Sequence, residues 1–461
     1  MTRGSEARWM LAAAAAVMAS CGGGPACPTS DQVRAELASL ASGGTATIDA
    51  ACVLGGSFVV PAGATLHGGT FSLAAGDRIT LMPSTVDAPA TALESVHVVG
   101  GSSDSSVRVE GAGHARISQI TLDVQRGYAI VVSGASVAID HVSVQGALDV
   151  AHIVDLGIPA PRETNLGYGI VAIDGADVEV TTGDFSGIAD AAVICVDASV
   201  TLSSLTIEDS RGAGVAGFGC AVNAADLDIY GMLAAGTYTG TGIGLFTSST
   251  HRPSTLVAGD RLSIHDEPGY GVIADHSGAV TLTDPRMSGL GLAGVWVEDA
   301  TSLTLAGGTF DGNRGIAISA IGVASVDVHG THVTNTTNGP IPTMGGLGTA
   351  TMADALHLVQ RAGVPSTVTL GDLVLSENAR VGLVLDGGGD PLSLTVSGTM
   401  VSTSGTELGA VAQDIASLPT SWDSGITRVG PATTLDHGAA PLVVSDGVGA
   451  LGILMPPTSM F

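Results

Sequence analysis

The chain contains no lysine. All sixteen of its basic residues are arginine, against 43 acids, for a formal net charge of −27. So acidic a chain excludes charge-driven binding to nucleic acid or to anionic lipid, both of which need a cationic patch. Aromatic residues make up only 3%, too few for a broad globular core. Apolar runs are short, and most have the wrong period for helices. The N-terminal one, Leu11–Ala19, cannot span a bilayer.

In place of these features the chain has 66 glycines and a repeat. The stretch Tyr270–Ile318 shows it. Tyr-Gly-Val-Ile-Ala (270–274), Ala-Val-Thr-Leu (279–282) and Pro-Arg-Met-Ser-Gly (285–289) are followed by Ala-Gly-Val-Trp-Val (293–297), Ser-Leu-Thr-Leu (302–305) and Thr-Phe-Asp-Gly-Asn (309–313). Each cycle is three short alternating β runs punctuated by Gly, Asp, Ser or Asn, the signature of a solenoid. A small residue followed by an apolar one opens the cycles, as at Gly271-Val272, Gly294-Val295, Gly315-Ile316 and Ala355-Leu356. The second and third runs keep a constant five-residue step: Ile139 to Val144, Leu202 to Ile207, Leu282 to Met287, Leu305 to Phe310, Leu370 to Leu375. Only Ala258 to Ile264 takes six. A fixed step means one tight corner preserved from coil to coil. Loops lengthen at the other two corners, at 145–165, 230–241 and 334–354 after third runs and at 247–254 and 360–365 after first runs.

The N-terminus reads as an export signal, with Arg3 and Arg8 before the apolar stretch. Met18-Ala19-Ser20-Cys21 resembles the lipobox of bacterial lipoproteins, which implies lipidation at Cys21 and a membrane partner through that anchor. Removing Cys21 from the five cysteines leaves Cys27, Cys52, Cys195 and Cys220, an even set that suits disulfides in an exported chain. Cys195 and Cys220 are about one coil apart but three residues out of phase. Cys27 with Cys52 would pin the first helix to the first coil. Buried free thiols are the alternative. That helix opens at Thr29-Ser30-Asp31-Gln32, spaced as a capping box, and its apolar stripe is Val33, Leu37 and Leu40. The expected organisation is a signal peptide over 1–20, lipidated Cys and tether over 21–28, capping helix over 29–44, parallel β-helix over 45–415, and an irregular C-terminal cap over 416–461.

Ser57-Phe58-Val59-Val60-Pro61-Ala62-Gly63-Ala64-Thr65-Leu66 and the three-run coils after it resemble right-handed parallel β-helix proteins of the pectin-lyase-like superfamily. The resemblance implies an all-β right-handed parallel β-helix. It also implies a groove along the first sheet where a polysaccharide could bind. The superfamily holds lyases, hydrolases and epimerases as well as non-enzymatic surface proteins. The outward positions of the first sheet read Val131, Val171, Ile194, Ala216, Gly244, Ile273, Trp296, Ala317, His357 and Val384. Two residues on they read Ser133, Ile173, Val196, Phe218, Phe246, Asp275, Glu298, Ser319, Val359 and Asp386. Asp275 and Glu298 fall on adjacent coils, about 5 Å apart. They are the candidate catalytic pair, flanked by His276 and Asp299, with Arg314 as the nearest base. Two such carboxylates could serve a retaining glycosidase or hold Ca²⁺, or could simply be solvated turn residues. The Asn-Thr-Asp and Gly-His-Gly signatures of polygalacturonases are absent. His329 and His332 lack partners for a metal set, and Asp386-Gly-Gly-Gly-Asp390 is a lone acidic turn. Asn313, Asn335 and Asn378 suggest a ladder of stacked amides. The expected protein is a monomeric, exported surface binding or structural module with no cofactor beyond possible Ca²⁺. The alternative is a polysaccharide lyase or glycoside hydrolase.

Overall fold

The constant five-residue step has a shared cause in most coils. In coil after coil one residue between the second and third runs adopts the left-handed backbone conformation, as at His141 (φ 53), Ser204 (φ 53), Asp226 (φ 55), Asp284 (φ 45) and Asp372 (φ 52). One such residue breaks the alternation so that the apolar residues on both sides of the bend still face the core. The six-residue exception turns at Arg261 (φ 66). The computed structural model describes residues 26–429 apart from 102–104, 124–126, 148–149, 153–163, 234–239, 343–348, 362, 387–393, 399–400, 405–407 and 414–425. The lipobox and most of the expected C-terminal cap therefore lie outside the described residues.

The coils stack into two long ladders, a 15-stranded sheet of first runs and a 23-stranded sheet carrying second and third runs. Apart from two short hairpins, Val150–His152 with Thr164–Leu166 and Gly339–Pro342 with 349–352, and an isolated bridge of Ser84 to His114, the pairings among the described residues are parallel. Right-handed connection is the rule for such crossovers. Between the sheets runs one continuous core, with Val272, Ala274, Val295, Val297, Leu303, Leu305 and Phe310 fully buried. The small residue opening each cycle sits where the next coil comes closest. A Cβ on Gly271 would lie 2.6 Å from the Gly294 carbonyl oxygen, and one on Gly294 would lie 2.5 Å from that of Ala317.

One coil departs from its expected register. Gly315-Ile316 imitates the small-apolar opening, but the strand aligns Ile318 with Val295 and Ser319 with Trp296. Ala317 is therefore a core residue, while Ser319 and Ile321 point outward. Gly315 is instead a corner residue (φ 80) pressed against the Leu292 carbonyl. That left-handed turn delays the strand by two residues.

The helix Ser30–Ser39 is capped by Thr29 and Gln32 reciprocally and buries Val33 and Leu37 against the first coil. It stops before Gly43, because Leu40 is already extended and folds back on the core. Cys27 bonds Cys52, and Cys195 bonds Cys220 with Cα atoms 6.1 Å apart. Cys195 pairs in register with Gly217, not Cys220. The left-handed Gly219 (φ 67) turns Cys220 back into the core, which reconciles the phase. At the far end Ile426–Val429 pairs in parallel with Val401–Ser404. The stack thus has one more strand past 415.

Candidate functional site

Asp275 ends the strand Tyr270–Asp275, Glu298 ends Ala293–Glu298, and the two are register partners. The next residue in each coil, His276 (φ 48) and Asp299 (φ 47), makes the left-handed turn off the sheet. Four ionisable side chains from two coils thereby meet at one edge. His276 Nδ1 lies 2.6 Å from Asp275 Oδ1, and its Nε2 lies 3.5 Å from Asp299 Oδ2. Glu298 is 2% exposed and accepts a hydrogen bond from Trp296 Nε1 at 3.3 Å.

The cation at this site is Arg361. Its guanidinium donates to Glu298 Oε1 and, at 2.5 Å, to Asp299 Oδ2. Arg314, the expected base, is exposed, and its backbone bridges Thr337 instead. Arg361 belongs to the insertion at 360–365, which folds back across the intervening coil at Gly322. A Cβ there would lie 2.4 Å from Asp299 Oδ1 and 3.1 Å from Arg361 Cδ. The insertion at 247–254 does the same. Thr250 Oγ1 donates to Asp197 Oδ1 at 3.1 Å across Gly219, where a Cβ would lie 2.4 Å from that carboxylate. Both insertions thus tie down an aspartate two coils away. Burial pushes the Asp299 carboxyl above the usual range, with His276 opposing and Asp275 adding to the shift. Burial also pulls Arg361 below its ordinary value, against the pull of Asp275.

Much of the rest of the first sheet's outer face is apolar and buried. Tyr270, Ile273, Trp296, Ile316, Ile321 and Val384 form one apolar cluster with Ile341 and Met352 of the hairpin. Tyr128, Val131, Tyr168, Val171 and Ile194 belong to another. Within the first lies a polar centre of which the sequence reading named only His357 and, one position off, Ser319. Arg380 grips Asp354 with two bonds, Nε to Oδ1 at 2.6 Å and Nη2 to Oδ2 at 2.7 Å. His357 Nδ1 lies 3.2 Å from Asp354 Oδ2, and Ser319 stands in register with His357 one coil earlier. Burial acts to raise the Asp354 pKa, but His357 and the Arg380 charge outweigh it and hold the carboxyl below the usual range. The outward positions of Asp354 and Arg380 on successive coils were the available signal.

The other candidates do not converge. His329 faces Asp327 at 3.4 Å on the exposed second sheet. Asp390 and the glycines before it lie outside the described residues. Asn313 and Asn378 occupy one ladder position, but Asn335 is one residue earlier in its coil, left-handed (φ 56) and bonded to Asp311. Among the described residues no group of three or more His, Cys, Asp or Glu is arranged to hold a metal ion.

Beside Arg361 opens a cleft of about 520 Å³, lined by His276, Asp299, Thr301, Gly322, Arg361 and Val364 among others. Its walls come from four successive coils, so it runs along the stack.

No family profile matches the chain, and no curated protein matches it. Among solved structures it is similar to the periplasmic alginate epimerase AlgG, with a TM-score of 0.41 and 10% identity over 72% of this chain and 76% of that one. The tailspike protein of E. coli bacteriophage HK620 gives 0.41 and 11% over 86% and 76%. An alginate lyase from Paenibacillus sp. str. FPU-7 gives 0.31 and 14% over 76% and 98%. Likenesses this distant carry no activity across. On its own strand ladders, the chain is a right-handed parallel β-helix.

Proposed function

We propose that the protein is an exported surface module that binds a neutral polysaccharide in the cleft beside Arg361. The observation that carries this reading is the cleft's form: it extends along the coil axis, and one carboxylate, an imidazole and a guanidinium line it next to the apolar Val364. Sugar hydroxyls both donate and accept hydrogen bonds, so a mixed set of partners suits them. An acidic glycan would meet the Asp299 carboxylate, with the one arginine of the cleft already committed to Asp299 and Glu298, on a chain of net charge −27.

The enzyme reading through Asp275 and Glu298 fares worse. A glycosidase needs one carboxyl free to give a proton and the other free to attack or to activate water. Glu298 is buried and held by Arg361 and Trp296, so it is free for neither role. Titrating the purified protein with neutral and acidic polysaccharides, while following reducing ends and unsaturated products, tests both readings. Saturable binding of a neutral glycan without product is expected, weakened about tenfold in His276→Ala, the loss of one or two hydrogen bonds. Product formation abolished in both Asp275→Asn and Glu298→Gln, or binding to none of the glycans, would overturn the proposal.

Export is part of the same reading. Two disulfides support an oxidising compartment, and Cys21 is proposed as the lipidated residue. Metabolic labelling with a fatty-acid analogue should mark the wild type and spare Cys21→Ser. Equal labelling of the two, or none, counts against the anchor.

A further inference from the structure

Where the third run gives way to the next coil, one buried position recurs three residues after the matched core residues Ile229, Ile264, Met287, Phe310, Val333 and Leu375. It holds Met232, Glu267, Leu290, Asn313, Thr336 and Asn378, all buried. The two asparagines there make the same pair of bonds. Asn313 Oδ1 accepts the Leu290 N–H at 3.1 Å, while its Nδ2 donates to the Met287 carbonyl at 3.3 Å. Asn378 does likewise with the Thr336 N–H at 3.2 Å and the Val333 carbonyl at 3.5 Å. Each amide thus accepts from the equivalent residue of the coil before and also donates to that coil.

Glu267 fills this position with a carboxyl. Its Oε2 accepts the Met232 N–H at 3.0 Å, the counterpart of the asparagine bond. Its Oε1 is buried without a hydrogen-bond partner. An ionised carboxylate has only acceptors, whereas a protonated one offers an acceptor and a donor, as an amide does. We propose that Glu267 stands in the folded protein as a neutral carboxylic acid, an asparagine mimic in this ladder, and that its ionisation loosens the corner at Met232.

Among the described residues no cation stands by to stabilise the charged form. Asp266, next in the chain, turns to His265 at 3.0 Å. Asp209 and Arg211 on the coil before Met232 are exposed, and residues 288–291 on the following coil carry no charge. Among the described residues no Arg or His forms an ion pair with Glu267. Burial pushes its carboxyl up to about 8; the Met232 N–H opposes the shift and Asp266 adds to it. With the folded value above the unfolded one, the native state holds the extra proton across the interval between them. The stability from this corner is therefore complete below the ordinary glutamate range and is lost as pH rises through about 8.

Thermal melts of the full chain from pH 6 to 9.5 test this. The wild-type midpoint should fall by several degrees across that range, and Glu267→Gln, which supplies acceptor and donor at every pH, should remove most of the fall. The converse variant Asn313→Asp places a carboxyl in the equivalent ladder position and should add a second alkaline loss. It carries the test if Glu267→Gln does not fold. A wild type and Glu267→Gln with the same pH profile, or an Asn313→Asp with no added loss, would overturn the assignment.

Discussion

Arg380→Ala is expected to cost about 3–5 kcal/mol, because it strands Asp354 as an uncompensated charge with no exposure at all. The guanidinium supplies both hydrogen bonds and the positive charge, and His357 cannot replace a bidentate partner. Replacing the pair together, as Asp354→Leu with Arg380→Met, removes the charge along with its partner. Buried ion pairs replaced in this way are often neutral or better. The double variant should therefore regain most of what the single one loses in thermal melts. A double variant as unstable as Arg380→Ala would show that packing, not charge pairing, is what Arg380 provides. The wild type should also lose stability in acid. The Asp354 carboxyl is held below its ordinary value, so its contribution is present above the usual aspartate range and disappears as pH falls through the folded value.

Val297→Asp should be at least as harmful. Val297 is fully buried between coils, and losing its burial is worth roughly 1.5–3 kcal/mol. An unpaired carboxylate in the same dry place costs several more, met partly by protonation. Thr281→Asp, on the outer face of the second sheet with Val257 and Thr304 beside it, should stay within about 0.5 kcal/mol of wild type. Equal damage from the two would mean that inward and outward faces have been exchanged.

The parts of this fold that sequence makes visible are the parts set by local geometry. A five-residue step is legible because one left-handed residue makes the bend, and residues such as Asp226 and Asp284 tolerate that conformation. The small-apolar opening is legible because the next coil's carbonyl leaves room for nothing larger than alanine. The same logic misplaced Ser319, since Gly315 satisfies the pattern while doing a different job two residues early. Arg361 was hidden for another reason. It lies 63 residues from Glu298, inside an insertion where the repeat lapses, so no spacing predicts which coil it reaches. Asp354 lies inside the strand Thr349–Val359 and Arg380 just before Val381–Asp386, both ahead of His357 and Val384, the positions from which the outward rows were read. Glu267 escaped because its equivalents are Met, Leu, Asn and Thr, a position recognisable by its hydrogen bonds and not by residue type.

The two disulfides bear on how such a stack comes apart. Outside the two hairpins, each described strand pairs only with the coil before and the coil after, so opening advances as a front along one dimension. A front moving inward from the N-terminal end meets Cys27–Cys52 at once. One moving from the C-terminal end passes through roughly half the chain before it reaches Cys195–Cys220. Beyond a cross-link the released chain gains less entropy, so the C-terminal coils open first and the segment between the two bonds holds out longest. Hydrogen exchange should grade accordingly, slow around Val137 and Val178 and fast around Val368. Reducing both bonds should level the gradient from the N-terminal side.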